Sequence, residues 1–410
     1  MKKLATRGQI FSAAILVIGV VFLLQANPCL SAENEVKIGA AISLSGKMAR
    51  EGSNLKQGYE FWADWANAKQ GISVGDKRYK VKLITYDDES NPQRSAKLVE
   101  KFITEDKVDL LLGSYGSFVS MASTTISERY GYVMILPSSG SDLLFNRGYK
   151  YLFSLLPVSS RDMVPMIDLM LQQNPKPKTL SIIASNSPYP IAVVNGLEKY
   201  AKDKGIDVVL SEKFPEDTSD LSSLLSLVKT KKPDLLFDVG YYEHSVMVTR
   251  QLKDLGFAPK GLGHGVGVQL PEFTKSLGKD AEASMGTLFW GPKLKYRGEE
   301  FTAAEYAELF KKKYGIYPVD QHGFGTSAGF LLEAAVKKAG SFKQEKIREA
   351  LRQIELPNTI TGPIKFDEAG RNVWGKVAVI QIQKGQPEVV APEAAATSRV
   401  IYPFPSWQGR

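Results

Sequence analysis

From residue 36 onward the chain alternates short β-branched runs with longer amphipathic stretches. VKIGAAI, KVKLITY, VDLLLG and YVMILP have the length and composition of strands, whereas NLKQGYEFWADWANAKQG and NPQRSAKLVEKFITED repeat their apolar residues at helical spacing. A second series starts near Thr179, with strands TLSIIAS, IDVVLSEKF and PDLLFDVG and helices expected over 191–204, 220–230 and 243–256. Strands alternating with helices of this length predict parallel sheets covered on both faces. Two series predict an α/β protein of two doubly wound, parallel-sheet lobes.

Later segments do not make a third series. ASMGTLFWG, helices over 302–314 and 327–338, and the closing GPIKFDEAGRNVWGKVAVIQIQKG are too few and too mixed for an independent domain, so they complete the first two lobes. The chain then crosses between lobes more than once, which predicts a hinge rather than a loose linker.

The N-terminus reads differently. MKKLATRGQ carries three cations and no acid, the run IFSAAILVIGVVFLL is shorter than a membrane span, and Leu30-Ser31-Ala32 is an acceptable cleavage site. Residues 1–32 are expected to be a signal peptide, and its removal takes Cys29, the one cysteine of the chain. Export without disulfide or thiol chemistry follows. Without the three leader cations, 49 basic residues face 44 acidic ones, a net charge of +5 instead of +8. Lysine clusters such as Lys311 to Lys313 lack interleaved aromatics and read as solvated helix faces, not as a nucleic-acid groove.

Ligands of open parallel sheets sit beyond the carboxyl ends of strands. LLGSYGSFVS, residues 111–120, has that setting: a strand, a loop Gly113 to Ser117, then a helix. Free N–H groups at a helix start, with a serine hydroxyl, favour an anion. No G-x-x-x-x-G-K-[ST] occurs, so a carboxylate fits better than a phosphate. Ser117 capping its helix is the plainer alternative. A second strand end, YVMILPSSGSD, would bring Ser138 to Ser141 beside Ser117 on one sheet edge.

Catalytic patterns are weaker. Gly325-Thr326-Ser327-Ala328-Gly329 matches the G-x-S-x-G of nucleophile elbows, but no buried strand precedes it. His244, His264 and His322 lack ligand spacing for zinc. Asp87-Asp88-Glu89 is expected to cap the helix starting near Pro92 more than to supply a base or a magnesium ligand. No cofactor or metal is called for, and the chain does not read as an enzyme.

Taken as a set, VKIGAAISLSGKMAREGSNLKQGYEFWADWAN, ITYDDESNPQRSAKLVEKFI, LLLGSYGS, ILPSSGSD and TGPIKFDEAGRNVWGKVAVIQIQKG resemble the branched-chain amino-acid type of periplasmic solute-binding protein, the type I proteins that serve ABC importers. The resemblance runs through nearly the whole chain after the leader. It implies two lobes joined by three crossovers, expected near 154–157, 289–292 and 361–363. Lobe 1 would be 33–155 with 291–361, and lobe 2 156–290 with 362–410. It further implies a periplasmic monomer that closes on a small ligand and hands it to permease subunits.

By the same resemblance, Ser117 and the loop Ser138, Ser139 and Gly140 hold a ligand carboxylate. Amino-acid binders have a threonine at the position of Gly140 and an acid at that of His264, both serving the ammonium group. Tyr241 matches a ligand-facing tyrosine, while Tyr115, Tyr189 and Phe324 fall near the cleft and suit a flat or apolar ligand body. Glu51 could restore a negative charge, and Arg50 could pair with a second anion. The expectation is a carboxylate ligand without an α-amino group, an aromatic or apolar organic acid, ahead of an amino acid or small amide. An exported hydrolase using Ser327 and a ligand-sensing receptor are the other classes.

Overall fold

The computed structural model describes residues 34–409. The expected signal peptide, its cleavage site and Cys29 lie outside the described residues.

The first sheet is built from β1 (Glu35–Ile42), β2 (Ile72–Val74), β3 (Lys77–Asp87), β4 (Leu110–Leu112), β5 (Met134–Leu136) and β6 (Leu152–Ser154), with helices α1 (Ala49–Ala68), α2 (Pro92–Thr104), α3 (Ser117–Arg129) and the single turn α4 (Asp142–Phe145) between them. Its order is β2-β3-β1-β4-β5-β6, parallel except for the β2–β3 hairpin. The chain leaves β1 toward β3 and returns to the other side of β1 as β4. The order therefore reverses between β1 and β4, and the loops after these strands flank the crevice where open sheets bind ligands.

After β6 come α5 (Val164–Leu171), β7 (Thr179–Ser185), α6 (Pro188–Asp203), β8 (Asp207–Phe214), α7 (Ser222–Lys231), β9 (Leu235–Val239), α8 (Tyr242–Asp254), β10 (Gly261–His264), α9 (Pro271–Leu277) and β11 (Met285–Leu288). The chain then adds α10 (Ala303–Tyr314), α11 (Asp320–Ala339), α12 (Gln344–Arg352), a short pair β12 (Glu355–Leu356) and β13 (Ile364–Lys365), and finally β14 (Ala378–Gln383) and β15 (Gln386–Ala391). The second sheet has order β15-β14-β11-β10-β9-β7-β8 and reverses between β7 and β9. Its β14–β15 edge is antiparallel, so this sheet is mixed rather than wholly parallel.

The two doubly wound lobes read from the alternation are present. Residues of α10, α11 and α12 pack into the first lobe's core, where Tyr306, Phe310, Leu331, Leu332 and Ile347 are fully buried with Ile38, Trp62 and Ile135. Phe289 and Trp290, just past β11, join that core, as do Ile364 and Phe366. Past the crossing expected at 361–363, the chain thus stays with the first core and reaches the second sheet only at β14. Around these passages Asn372 Nδ2 donates to Leu155 O at 2.8 Å, and Trp290 Nε1 to Ile360 O at 2.6 Å.

Helix α11 begins well before the expected residue 327 and carries Ser327 in its interior. A Cβ at Gly325 would lie 2.6 Å from Leu55 O, and one at Gly329 2.1 Å from Trp62 Cδ2. The G-x-S-x-G spacing is therefore the track on which α11 approaches α1, not a strained strand-to-helix turn. Ser327 Oγ accepts a hydrogen bond from Thr361 Oγ1 at 2.8 Å.

Candidate functional site

On the first lobe, adjacency of β4 and β5 sets the loops that follow them side by side. Gly113 N donates to Ile135 O at 2.9 Å, Gly116 N to Ser138 O at 3.1 Å, and Tyr115 bridges Ser138. Ser117 opens α3, and Ser120 N donates to Gly116 O, so the N–H groups of residues 117–119 precede the first helical bond. Ser117 Oγ accepts from Ser141 N at 3.1 Å, which leaves its own O–H to donate. The two serine-rich strand ends form one surface rich in donors.

The second lobe presents aromatic rings at its own switch point. Tyr189 follows β7 and Tyr241 follows β9, with ring centroids 5.9 Å apart. The Tyr189 hydroxyl has no hydrogen-bond partner among the described residues. Burial, with the Asp162 carboxyl nearby, raises the Tyr189 pKa well above that of an ordinary tyrosine.

Between these surfaces lies a small chamber of about 40 Å³, lined by Tyr115, Ser117, Ser138, Gly140, Tyr189, Tyr241 and Phe324 among others. Seven residues singled out from sequence thus meet at one chamber. It adjoins an outer cavity of about 340 Å³ bounded by Lys47, Glu51, Glu216, Tyr242 and Glu243. Tyr115, Tyr241, Val266, Gln269 and Gln321 belong to both linings.

The lobes touch around this space. Ser141 Oγ donates to Pro188 O at 2.6 Å, Lys47 Nζ pairs with Glu216 at 2.5 Å, and Gln269 Nε2 donates to Asp320 Oδ2 at 3.3 Å. Arg50 Nη2 lies 2.7 Å from Glu51 and 3.5 Å from Glu243, and its guanidinium covers the Tyr242 ring at 4.0 Å. The structure is a closed arrangement of the cleft.

Three of the expected residues stand elsewhere. His264 is fully buried and does not line the chamber: its Nδ1 is 3.0 Å from Asp238 Oδ2 and its Nε2 3.3 Å from Thr249 Oγ1. His264 and Asp238 are register partners on β10 and β9, and their shared face is covered by α8 and α9, with Phe273 against the imidazole. Side chains alternate between faces along a strand, so this phase turns the imidazole away from the cleft. Ser139 likewise alternates inward, its Oγ 2.9 Å from Ser120 Oγ. Arg50 bridges the lobes at the mouth instead of lining the chamber.

Gly140 gains a physical reason. A Cβ there would lie 2.6 Å from Pro157 O, so this backbone has no room for the threonine of amino-acid binders. Asp87 and Asp88 do not cap α2; Asn91 does, accepting from Arg94 N at 2.9 Å. Asp87 Oδ1 instead accepts from Leu44 N and Ser45 N, and Asp88 from Ser43 Oγ and Ser114 Oγ, which fixes the loops after β1 and β4.

Sequence reading missed the acid that does face the chamber. Asp320, at the start of α11, is 6% exposed and lines the chamber with Gln321 and Gln269. Burial pushes its pKa up to about 7, against the opposing effect of hydrogen bonds from Gln269 and backbone N–H groups. Glu51, in the outer cavity, is also raised by burial, opposed by Arg50. Among the described residues no cluster of His, Cys, Asp and Glu could hold a metal ion, and no helix is long and apolar enough to cross a membrane.

Two doubly wound lobes clasping a lined chamber define a ligand-binding clamshell. Residues 35–387 match the periplasmic binding protein family, and the chain belongs to it. A "Leu/Ile/Val-binding protein homolog 7" of Brucella melitensis is 28% identical over 389 residues, covering 91% of this chain and 95% of the relative. Among solved structures, the branched-chain amino acid transporter substrate-binding protein of Streptococcus pneumoniae in complex with isoleucine superposes with TM-score 0.77 at 21% identity, covering 88% of this chain and all of that one. The solute-binding protein of an ABC transporter from R. palustris, in complex with benzoate, gives 0.74 at 21% identity, covering 90% and 99%.

Proposed function

We propose that the protein is the solute-binding component of an ABC importer, exported by cleavage of its leader after Ala32 and working as a monomer. It captures a small carboxylate with an aromatic or apolar body and presents the closed form to permease subunits. The observation that carries this reading is the meeting of Ser117, Ser138 and the α3 N-terminus with aromatic rings of both lobes at one chamber. Hydrogen-bond donors at a helix start favour the acid group, and the rings favour an apolar body. A ligand touching both lobes favours closure by its differential affinity.

The relatives support both a carboxylate with an amino group and one without, since one solved structure holds isoleucine and another benzoate. Gly140 favours a ligand without the amino group, because no threonine side chain fits there. An α-amino acid is the second reading, favoured by Asp320, which supplies the acid once sought at His264. Isothermal titration with branched-chain and aromatic amino acids and with aromatic and aliphatic carboxylates tests the function. Micromolar binding of at least one carboxylate is expected, and binding only of uncharged solutes would overturn it.

A further inference from the structure

The chamber has two chemically unlike ends. Donors dominate where Ser117 and the start of α3 meet the loop of Ser138. Acceptors dominate at the start of α11. Asp320 Oδ1 accepts from Gln321 N at 3.1 Å, and Oδ2 from Gln269 Nε2 at 3.3 Å. A carboxylate has about four acceptor positions, so this one retains unused capacity. Gln321 Oε1, in a side chain 3% exposed, has no partner among the described residues. Buried acceptors are ordinarily satisfied, and the unpartnered Gln321 oxygen beside a carboxylate with spare acceptor positions marks where a ligand donor fits.

We propose that Asp320 and Gln321 form the acceptor end of the site and select, among small carboxylates, those carrying a second group that donates a hydrogen bond, an ammonium or a hydroxyl. The proposal rests on the reading that the chamber takes a carboxylate. Neither residue holds that carboxylate; they read what accompanies it. A ligand lacking the donor leaves Gln321 Oε1 unpaired and the spare positions of Asp320 unused, and sites built to receive a donor reject analogues without one. The Tyr189 hydroxyl, also unpartnered, faces the same chamber and can accept or donate as the ligand requires.

Matched pairs decide the matter by titration calorimetry: leucine against 4-methylpentanoate for an ammonium, and 2-, 3- and 4-hydroxybenzoate against benzoate for a hydroxyl. The donor-bearing member of at least one pair is expected to bind tenfold or more tighter. Asp320→Ala should remove that preference, bringing the two members of the pair within about threefold of each other. Gln321→Leu, which keeps the side chain's bulk, should reduce the same preference; thermal melts establish that each variant is folded. Equal affinity within every pair that binds overturns the proposal and leaves the carboxylate reading standing. If no carboxylate of any pair binds, that reading fails and takes the proposal with it. The wild-type comparison needs no variant, so a misfolded Asp320→Ala does not leave the question open.

Discussion

Gln269 Nε2 donates to Asp320 Oδ2 across the cleft, joining the loop before α9 in one lobe to the first turn of α11 in the other. Closure therefore removes water from Asp320 and replaces it with a single long hydrogen bond. Burial in this arrangement is what raises the pKa of the carboxyl.

Ligand charge should set the sign of proton exchange. Asp320 faces Glu51 from α1, Tyr115 from the loop before α3 and Tyr189 from α6, with His322 on its own helix held neutral by burial. A carboxylate without a cation adds negative charge beside it and favours its protonated form. Binding then takes up a proton, and affinity falls as pH rises past about 7. An ammonium-bearing ligand favours the ionised form, so affinity rises from pH 5 to pH 8. Calorimetry in buffers of different ionisation enthalpy separates uptake from release.

Stability carries the same linkage. A carboxyl raised from 3.8 to about 7 binds protons more tightly in the folded chain, so stability falls as pH climbs between those values and then levels. Asp320→Asn removes that loss. We expect the ligand-free variant to gain roughly 2–4 kcal/mol over the wild type at pH 8 and almost nothing at pH 4, measured by urea unfolding.

Ser117→Ala removes the acceptor for Ser141 N and, on the proposed reading, a donor to the ligand. The fold should lose about 1 kcal/mol and ligand affinity at least tenfold. Thermal melting and calorimetry report the two effects separately, and unchanged affinity would remove Ser117 from the site.

His264→Ala should behave in the opposite way. It leaves Asp238 without its imidazole partner inside the second lobe, a loss of about 2–3 kcal/mol, while ligand affinity stays within about twofold of wild type. A large affinity change without destabilisation would contradict the buried placement.

Gly140→Thr tests whether the missing threonine is a matter of ligand choice or of space. With a Cβ 2.6 Å from Pro157 O, the variant should lose about 2 kcal/mol and gain no amino-acid binding. A stable variant with new affinity for leucine would show that the loop yields.

Much of this was legible in the sequence because parallel sheets impose simple rules. Strand, loop and helix in LLGSYGSFVS and YVMILPSSGSD placed Ser117 and Ser138 at neighbouring strand ends, and adjacency of β4 and β5 did the rest. Tyr189 and Tyr241 came from the family resemblance, and they follow β7 and β9 in the second lobe. His264 was misjudged because one residue of phase in a four-residue strand decides which face a side chain takes. Asp320 was missed because its helix was expected to start only at 327, which left this acid in a connecting segment. Its burial depends on Gln269, 51 positions earlier, and no local pattern couples the two. The small residues Gly325 and Gly329 looked like chemistry and proved to be packing against Leu55 and Trp62.

The threefold passage of the chain between the sheets limits how the clamshell can move. One strand of polypeptide would let a lobe swivel freely, but adjacent tethers fastened by Asn372 to Leu155 and by Trp290 to Ile360 resist twisting and sliding. Bending about these tethers is the displacement they oppose least. The contacts of Gln269 with Asp320 and of Ser141 with Pro188 then mark a single registration of the two lobes.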